Sequence, residues 1–332
     1  MPSPLPHQAA TELKVSVMIT THNRVKELKQ TCEVLESLSP AVDEVLICAD
    51  GCTDNTVELI QQNYQHYRLF INPVGRGSVA SRDYLIRKAE GDLVLALDDD
   101  SYPLAQDIVT RLRRLFQERP RLAVASFPQR TEEYSESLTI EDFGSSYYCG
   151  TFACAAACFR RSVYFEVDGF DTSFFHMYEE PDYALQCLAA GYEIYFFTDI
   201  IIRHHFTPTG RNEIRTHHRH AQNEQWSMWR RCPFPYVLVL SLYRFFSQFR
   251  YAVKRGMNWV IREPFWWFAA LQGLPNALLR RNPISWQVYR LWLSLLSQPI
   301  YTDEEWQKRF SAVEVKPSRC QQQSDMNITT RI

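Results

Sequence analysis

Three features of the sequence predict a doubly wound, mostly parallel α/β sheet flanked by helices, with a helical, aromatic and basic C-terminal extension. Apolar runs of strand length alternate four times with helical patterns between Lys14 and Asp100. The runs end in polar or charged turns, at the sheet edge where open α/β folds hold ligands. From Trp226 to Ile300 the composition changes, with seven of the eight tryptophans set among ten Lys/Arg and Glu263 as the single acid.

The 332 residues suffice for one large or two modest domains. The start, Met1 to Thr11, is polar and Pro-rich, and nine cysteines is an odd number; both predict a reducing, cytoplasmic compartment. Cys48-x3-Cys52 and Cys154-x3-Cys158 lack a well-spaced second pair, so buried thiols are expected rather than a metal centre. No apolar run reaches the ~20 residues that span a bilayer, and Arg244 interrupts Tyr236 to Phe249. Two readings of the extension stay open: a peripheral contact with an anionic membrane at its inner face, or a plain helical subdomain packed on the sheet. Nucleic acid is not expected, because no recognisable module accompanies the aromatic and basic residues.

Taken in order, Lys14 to Thr21 reads as the first strand, His22-Asn23-Arg24 as a loop and Val25 to Leu38 as a helix. Glu44 to Cys48 is the second strand, and Thr53 or Asp54 can cap the helix that reaches Asn63. Tyr67 to Ile71 is the third strand and Val79 to Ala89 the third helix, after which Gly91-Asp92 turns the chain into the run that ends at Leu97. Leu104 to Glu118 should be a helix with Leu112 and Phe116 on its apolar face, and Leu122 to Ser126 a strand. Arg130 to Phe143 is expected as loop and short helix, and Gly150 to Phe159, small and apolar, as a buried strand. Pro181 and Gly191 start and stop a helix; strands follow at Glu193 to Phe197 and Ile200 to Arg203.

Chemistry concentrates at the ends of these elements. Asp98-Asp99-Asp100 would emerge together from the fourth strand. Adjacent carboxylates repel, so the cluster needs a cation, and oxygen ligands suit Mg²⁺ or Mn²⁺; a solvated loop of acids is the other reading. Glu179 and Glu180 stand at the mouth of the helix that Pro181 opens, where the dipole should keep a carboxylate ionised, while Asp182 reads as a solvated first-turn acid. His204-His205 closes the last strand. His217, His218 and His220 with Arg211, Arg215 and Arg219 read either as a basic surface loop or as a lid. Gly75-x-Gly77-x-x-Ala80 matches the dinucleotide fingerprint, but two βα units precede it and three acids would crowd a bare pyrophosphate.

In their order these residues resemble the inverting family 2 glycosyltransferases of GT-A fold, over about Val15 to His205. Val17 to Arg24 is similar to the family's first strand and Thr-Tyr-Asn-Arg loop. Asp50 to Thr56 is similar to its Asp-Gly-Ser-Thr-Asp-x-Thr turn, with Cys52 for Ser and Ala49 where Asp is common. Ser81-Arg82-Asp83 resembles Ala-Arg-Asn, Asp98-Asp99-Asp100 the Asp-x-Asp element, and Val167 to Asp171 the Val-Gly-Gly-Phe-Asp turn with Asp168 for Gly.

The resemblance implies a nucleotide-diphosphate sugar donor held by Thr20, Thr21, Asn23, Arg24, Asp50, Arg76, Arg82, Asp98 and Asp99, with Asp50 reading the nucleobase. It implies Mg²⁺ or Mn²⁺ on Asp98, Asp100 and His204, with His205 the close alternative, and Glu180 as the base that deprotonates an acceptor hydroxyl. Glu179 or Asp182 could hold that role instead. The acceptor would be a saccharide or lipid-linked saccharide in cell-surface polysaccharide or glycolipid synthesis. The organisation expected is a loose start (1–13), a GT-A domain (14–225, split into a nucleotide-binding half 14–101 and an acceptor half 102–225), the extension (226–312) and a flexible tail (313–332). Two rivals remain: a sugar-phosphate nucleotidylyltransferase, which should carry a Gly-rich loop after its first strand where Thr20 to Arg24 has no glycine, and a non-catalytic nucleotide-sugar-binding subunit.

Overall fold

The computed structural model describes residues 12–206 and 212–311; nearly all of the expected loose start, the tail and Arg211 lie outside them. Strands β1 (Val15–Thr21), β2 (Glu44–Asp50), β3 (Arg68–Asn72) and β4 (Leu93–Asp98) alternate with helices α1 (Val25–Glu36), α2 (Thr56–Asn63) and α3 (Ser78–Lys88). Next come β5 (Ser101–Pro103), α4 (Ile108–Glu118), β6 (Leu122–Ser126), β7 (Gln129–Thr131), β8 (Tyr147–Tyr148), β9 (Ala156–Arg160), α5 (Arg161–Glu166), α6 (Glu179–Ala189), β10 (Glu193–Phe196) and β11 (Ile202–His204). The described chain ends in α7 (Glu213–Arg231), α8 (Tyr236–Arg255), α9 (Met257–Val260), α10 (Glu263–Leu279), α11 (Trp286–Leu295) and α12 (Asp303–Ser311).

The main sheet runs β3-β2-β1-β4-β9-β6-β10-β8, and a second sheet, β5-β11-β7, stands beside it. Successive strand residues point to opposite faces, and both faces of the central strands are covered, so β1, β2 and β4 are mostly apolar between their ends. Val15, Val17 and Ile19 of β1 and Leu93, Leu95 and Leu97 of β4 enter one core with α1 and α4. Met18, Val94 and Ala96 enter the other with α3 and α5. Each fully buried Val, Leu, Ile or Met side chain among these contributes about 1.5–3 kcal/mol. β1 pairs in parallel with β2 and β4, in a register that sets Thr20 against Asp98 and Cys48. The polar ends of these strands therefore converge on one edge.

The doubly wound architecture expected from the alternation is present, with local corrections. β9 lies antiparallel between β4 and β6, and β8 is an antiparallel edge. Strand pairing starts at Ala156 rather than Gly150, because the carbonyl of Gly150 is taken by the Trp292 indole from α11. The predicted helix from Leu104 begins at Ile108, since Ser101–Pro103 pairs with β11 instead. Within Arg130 to Phe143, Gln129–Thr131 joins the small sheet and Ser135–Leu138 forms a single 3₁₀ turn. The segment read as a basic loop or lid is helical: Arg215, His217, His218, Arg219 and His220 all lie in α7, which Asn212 caps by accepting from the Arg215 amide at 3.0 Å.

Parts of the extension do pack on the sheet. Trp306 of α12 stacks on Tyr148 at 4.3 Å between centroids and donates to Glu193 at 3.1 Å. Helices α8 to α10 behave differently and expose much of their apolar surface. No helix of the described residues is long and apolar enough to cross a membrane.

Candidate active site

Strand register builds the acid cluster. In the small sheet His204 pairs with Ser101, and the His205 amide donates to the Asp100 carbonyl at 2.9 Å. Alternation along β11 then turns His204 onto the acids. His205 faces the other way, bonded to Tyr102 at 2.9 Å and to Arg203 at 3.0 Å. Ligand atoms of Asp98, Asp100 and His204 all lie within 4.8 Å of one another. The Nδ1 of His204 meets Gln129 Oε1 at 2.7 Å, so Nδ1 carries the proton and Nε2, 3.3 Å from Asp100, presents its lone pair. Two carboxylates and a neutral imidazole are a donor set that fits Mn²⁺ or Mg²⁺.

Two arginines hold this negative charge, as repulsion among three consecutive acids requires. Arg24 bonds Asp100 at 2.6 Å and Asp99 at 3.2 Å. Arg82, only 7% exposed, bonds Asp98 at 2.6 Å and Glu179 at 2.9 Å. Burial, with Asp100 and Asp98 alongside, pushes Asp99 up to about 8 against the pull of Arg24. Burial also raises Asp98, but the Arg82 guanidinium bonded to it outweighs that and holds the carboxyl below its ordinary range.

A cavity of about 280 Å³ above the sheet edge is lined by Thr20, Thr21, Arg24, Asp50, Arg82, Asp98 and Asp99. The other two residues expected at the donor stand outside its lining. Asn23, at φ 55°, accepts from the Thr53 and Asp54 amides at 2.7 and 3.2 Å, locking two sheet-edge loops together. Arg76 is exposed, and its amide donates to Asp50 at 2.9 Å. Asp50 also accepts from Gly77 N at 2.9 Å and Asn72 Nδ2 at 2.7 Å, so it fixes the loop before α3 as well as facing the cavity. Gly77 cannot be larger: its φ is +92°, and an added Cβ would lie 2.3 Å from the Phe175 carbonyl.

The second acidic group meets the first at the Arg82 guanidinium. Glu179 and Glu180 line a cavity of about 1320 Å³ that also contains Asp98 and His204. Glu179 is 2% exposed and engaged by Arg82, whereas Glu180 is half-buried and accepts only a long bond, 3.4 Å, from the Cys154 amide. The expectation that the helix terminus would hold these carboxylates firmly ionised needs correction. Burial raises both, and Glu179, with Glu180 beside it, rises to about 7. Desolvation and like charge exceed the dipole here. Asp182 is not a solvated first-turn acid either. It is 1% exposed and turned into α7, bonded to Ser227 at 2.6 Å, Gln186 at 2.7 Å and Arg231 at 3.4 Å.

Three residues that the sequence does not advertise complete the site. Gln129 orients His204, as above. His176 lines both cavities and meets Ser78 Oγ at 2.9 Å. Asn223 donates to the carbonyls of Phe174, His176 and Met177 at 3.0, 3.0 and 2.8 Å. Those bonds clamp a strained run in which Phe175, Met177 and Tyr178 all take positive φ directly before Glu179. Removing the amide with Asn223→Ala leaves buried carbonyls unpaired, about 1–3 kcal/mol. Thermal denaturation should show that loss together with a lower turnover. No spacing in the sequence marks Gln129 or Asn223, because both act on backbone or ring atoms far along the chain.

The glycosyl transferase family 2 model matches residues 16–166, and that of glycosyl transferase family group 2 matches residues 93–298. An uncharacterized glycosyltransferase of Haemophilus influenzae is 28% identical over 93 residues, 26% of this chain and 36% of that protein. YibD of Escherichia coli, also an uncharacterized glycosyltransferase, is 33% identical over 95 residues, 27% of each, so the chain spans well under half the length of either. YwdF of Bacillus subtilis, another uncharacterized glycosyltransferase, is 23% identical over 207 residues, 56% of this chain and 75% of that protein.

Among solved structures, the mannosyltransferase PcManGT of Pyrobaculum calidifontis, in complex with GDP-Man and Mn²⁺, has 17% identity and a TM-score of 0.53, with 91% of this chain and 85% of that one covered. TarS 1–349 of S. aureus in complex with UDP has 15% identity and a TM-score of 0.56, with 85% and 87% covered. At such identities these likenesses establish the architecture alone. The sequence matches go further: together they run from residue 16 to 298 and take in both acidic groups and His204, so the chain belongs to glycosyltransferase family 2.

Proposed function

We propose that this glycosyltransferase moves a sugar from a nucleotide-diphosphate sugar to an acceptor hydroxyl with inversion, using Mg²⁺ or Mn²⁺ on Asp98, Asp100 and His204. One observation carries the reading: a single guanidinium, Arg82, touches both Asp98 and Glu179, so the donor-side and acceptor-side acids face one cavity. Thr20, Thr21, Arg24 and Asp50 would bind the nucleotide, with Asp50 toward the base and the exposed Arg76 reaching in from the rim. Glu180, half-buried and open to the larger cavity, takes the acceptor proton. The hydroxyl oxygen bonds to the anomeric carbon as the bond from that carbon to the diphosphate oxygen breaks on the opposite side. The divalent ion, when bound, neutralises the charge that develops on the diphosphate. Arg24 and Arg82 stand on the same side and hold their charge without reorganisation.

The acceptor proposed is a saccharide or lipid-linked saccharide in cell-surface polysaccharide or glycolipid synthesis, met in the cytoplasm at the inner membrane face. A panel of nucleotide sugars with Mn²⁺ or Mg²⁺, assayed for released nucleotide diphosphate and for the anomeric configuration of the product, tests the reaction. Retention of configuration, or donor binding with neither hydrolysis nor transfer, would overturn it. Gln129→Leu should weaken metal binding by roughly 10–100-fold, as loss of an orienting partner does, and calorimetric Mn²⁺ titration reads that directly.

A further inference from the structure

The faces that α8, α9 and α10 turn outward have no counterpart elsewhere in the described chain. On α8, Val239, Leu242, Tyr243, Phe246 and Val253 share one helical face, at spacings of three, four and seven, and are 53–69% exposed. On α10, Phe265, Phe268 and Leu271 do the same at 63–70%, and between the two helices Met257 and Ile261 are 73% and 64% exposed. The two stripes flank the line where Phe245 and Phe249 of α8 meet Trp267 of α10. Soluble monomers rarely leave apolar area of this extent uncovered.

Charge on these helices points to what covers it. Arg250, Lys254 and Arg262 are exposed among the apolar side chains. The single acid between Trp226 and Ile300, Glu263, is 0% exposed and bonded to His217 and Trp266. A second copy would bring the same positive charges against one another. An anionic bilayer complements them, at about 1 kcal/mol for each Lys or Arg near the surface. Apolar stripes with aromatic rings and cations on helices that do not span a bilayer are the pattern of interfacial helices.

The larger cavity opens beside this surface. It contains Glu180 and reaches Gln248, Tyr251 and Arg255 of α8 and Trp259 of α9. Arg255 lies over the rings of Tyr251 and Trp259, at 5.2 and 5.5 Å from their centroids. Its ion pair with Glu213, at 3.4 Å, is exposed and worth little. A cation framed by two aromatic rings suits a saccharide joined to a phosphate, the rings lying against the sugar and the guanidinium on the phosphate.

We infer that the acceptor is a saccharide carried on a lipid phosphate in an anionic bilayer, that α8, α9 and α10 lie on that bilayer, and that the acceptor enters past Tyr251, Arg255 and Trp259 to reach Glu180. This rests on the glycosyl-transfer reading above. The test uses the full chain in flotation with vesicles of phosphatidylcholine alone or mixed with phosphatidylglycerol. Wild type should float with the mixed vesicles only, and less so in high salt. The double variant Leu242→Glu, Phe246→Glu should lose binding by at least about tenfold, a loss near 1.4 kcal/mol, with donor hydrolysis and donor affinity unchanged. Arg255→Gln should raise KM for a lipid-phosphate-linked saccharide, and weaken flotation by no more than the loss of one surface cation, far less than the double variant does.

Absence of flotation, equal flotation with both vesicle types, or a wild-type dimer in light scattering that the double variant abolishes would each overturn the inference. So would equal transfer to the same saccharide phosphate free in solution and embedded in vesicles. Flotation as expected from a wild type that neither binds nor hydrolyses any nucleotide sugar would instead sink the glycosyl-transfer reading and leave the membrane surface standing.

Discussion

Glu180→Gln is expected to lower turnover by roughly two to four orders of magnitude, the usual contribution of a positioned base, while donor affinity stays almost unchanged. Glutamine keeps the size and the bond from the Cys154 amide but cannot take a proton. The loss should therefore appear in kcat rather than in donor binding. Glu179→Gln should act differently, because it removes the negative charge that Arg82 engages; it should disturb donor and acceptor steps together. The pH profile gives an independent check. Burial raises both glutamates, Glu179 to about 7 with Glu180 beside it, and Glu180 with Asp98 nearby, so the rate should fall as the medium is acidified and these carboxylates take up protons. Near-normal transfer by Glu180→Gln with intact donor binding would remove it from the base position.

The second large effect is on folding. Asp182→Ala leaves Arg231, 2% exposed, buried beside one remaining acid, Asp168 at 2.6 Å. Breaking a buried pair in this way costs about 3–5 kcal/mol, measurable by chemical denaturation. Adding Arg231→Met should restore much of that stability, because it removes the stranded charge as well. A catalytic Asp182 would predict the opposite pattern: lost turnover, little change in stability and no recovery in the double variant.

What the sequence made legible follows from locality. The alternating apolar runs specified β1 to β4 and their helices, since β1, β2 and β4 are buried on both faces and each turn carries its own polar signal. Asp98 to Asp100 and Glu179-Glu180 were visible for a similar reason: acids where burial is expected are conspicuous. Hidden from view was everything set by long-range pairing. Leu104 looked like the start of a helix, although the pairing of Ser101–Pro103 with β11 delays it to Ile108, and Gly150 looked like strand until the Trp292 indole took its carbonyl. Asp182 looked solvated because its partner, Arg231, lies 49 residues away. His217 looked like part of a loop, although Glu263 holds it in place across two helices at 2.9 Å.

Because side chains on a strand alternate, sliding β11 one place against β5 would withdraw the imidazole of His204 from Asp98 and Asp100 and offer them the side chain of Arg203 or His205. With Arg203 there, a permanent cation would occupy the space and no divalent ion could settle. A single inserted residue between Phe197 and Ile202 would thus set a cation in the proposed ion site, with Asp98 and Asp100 still in place.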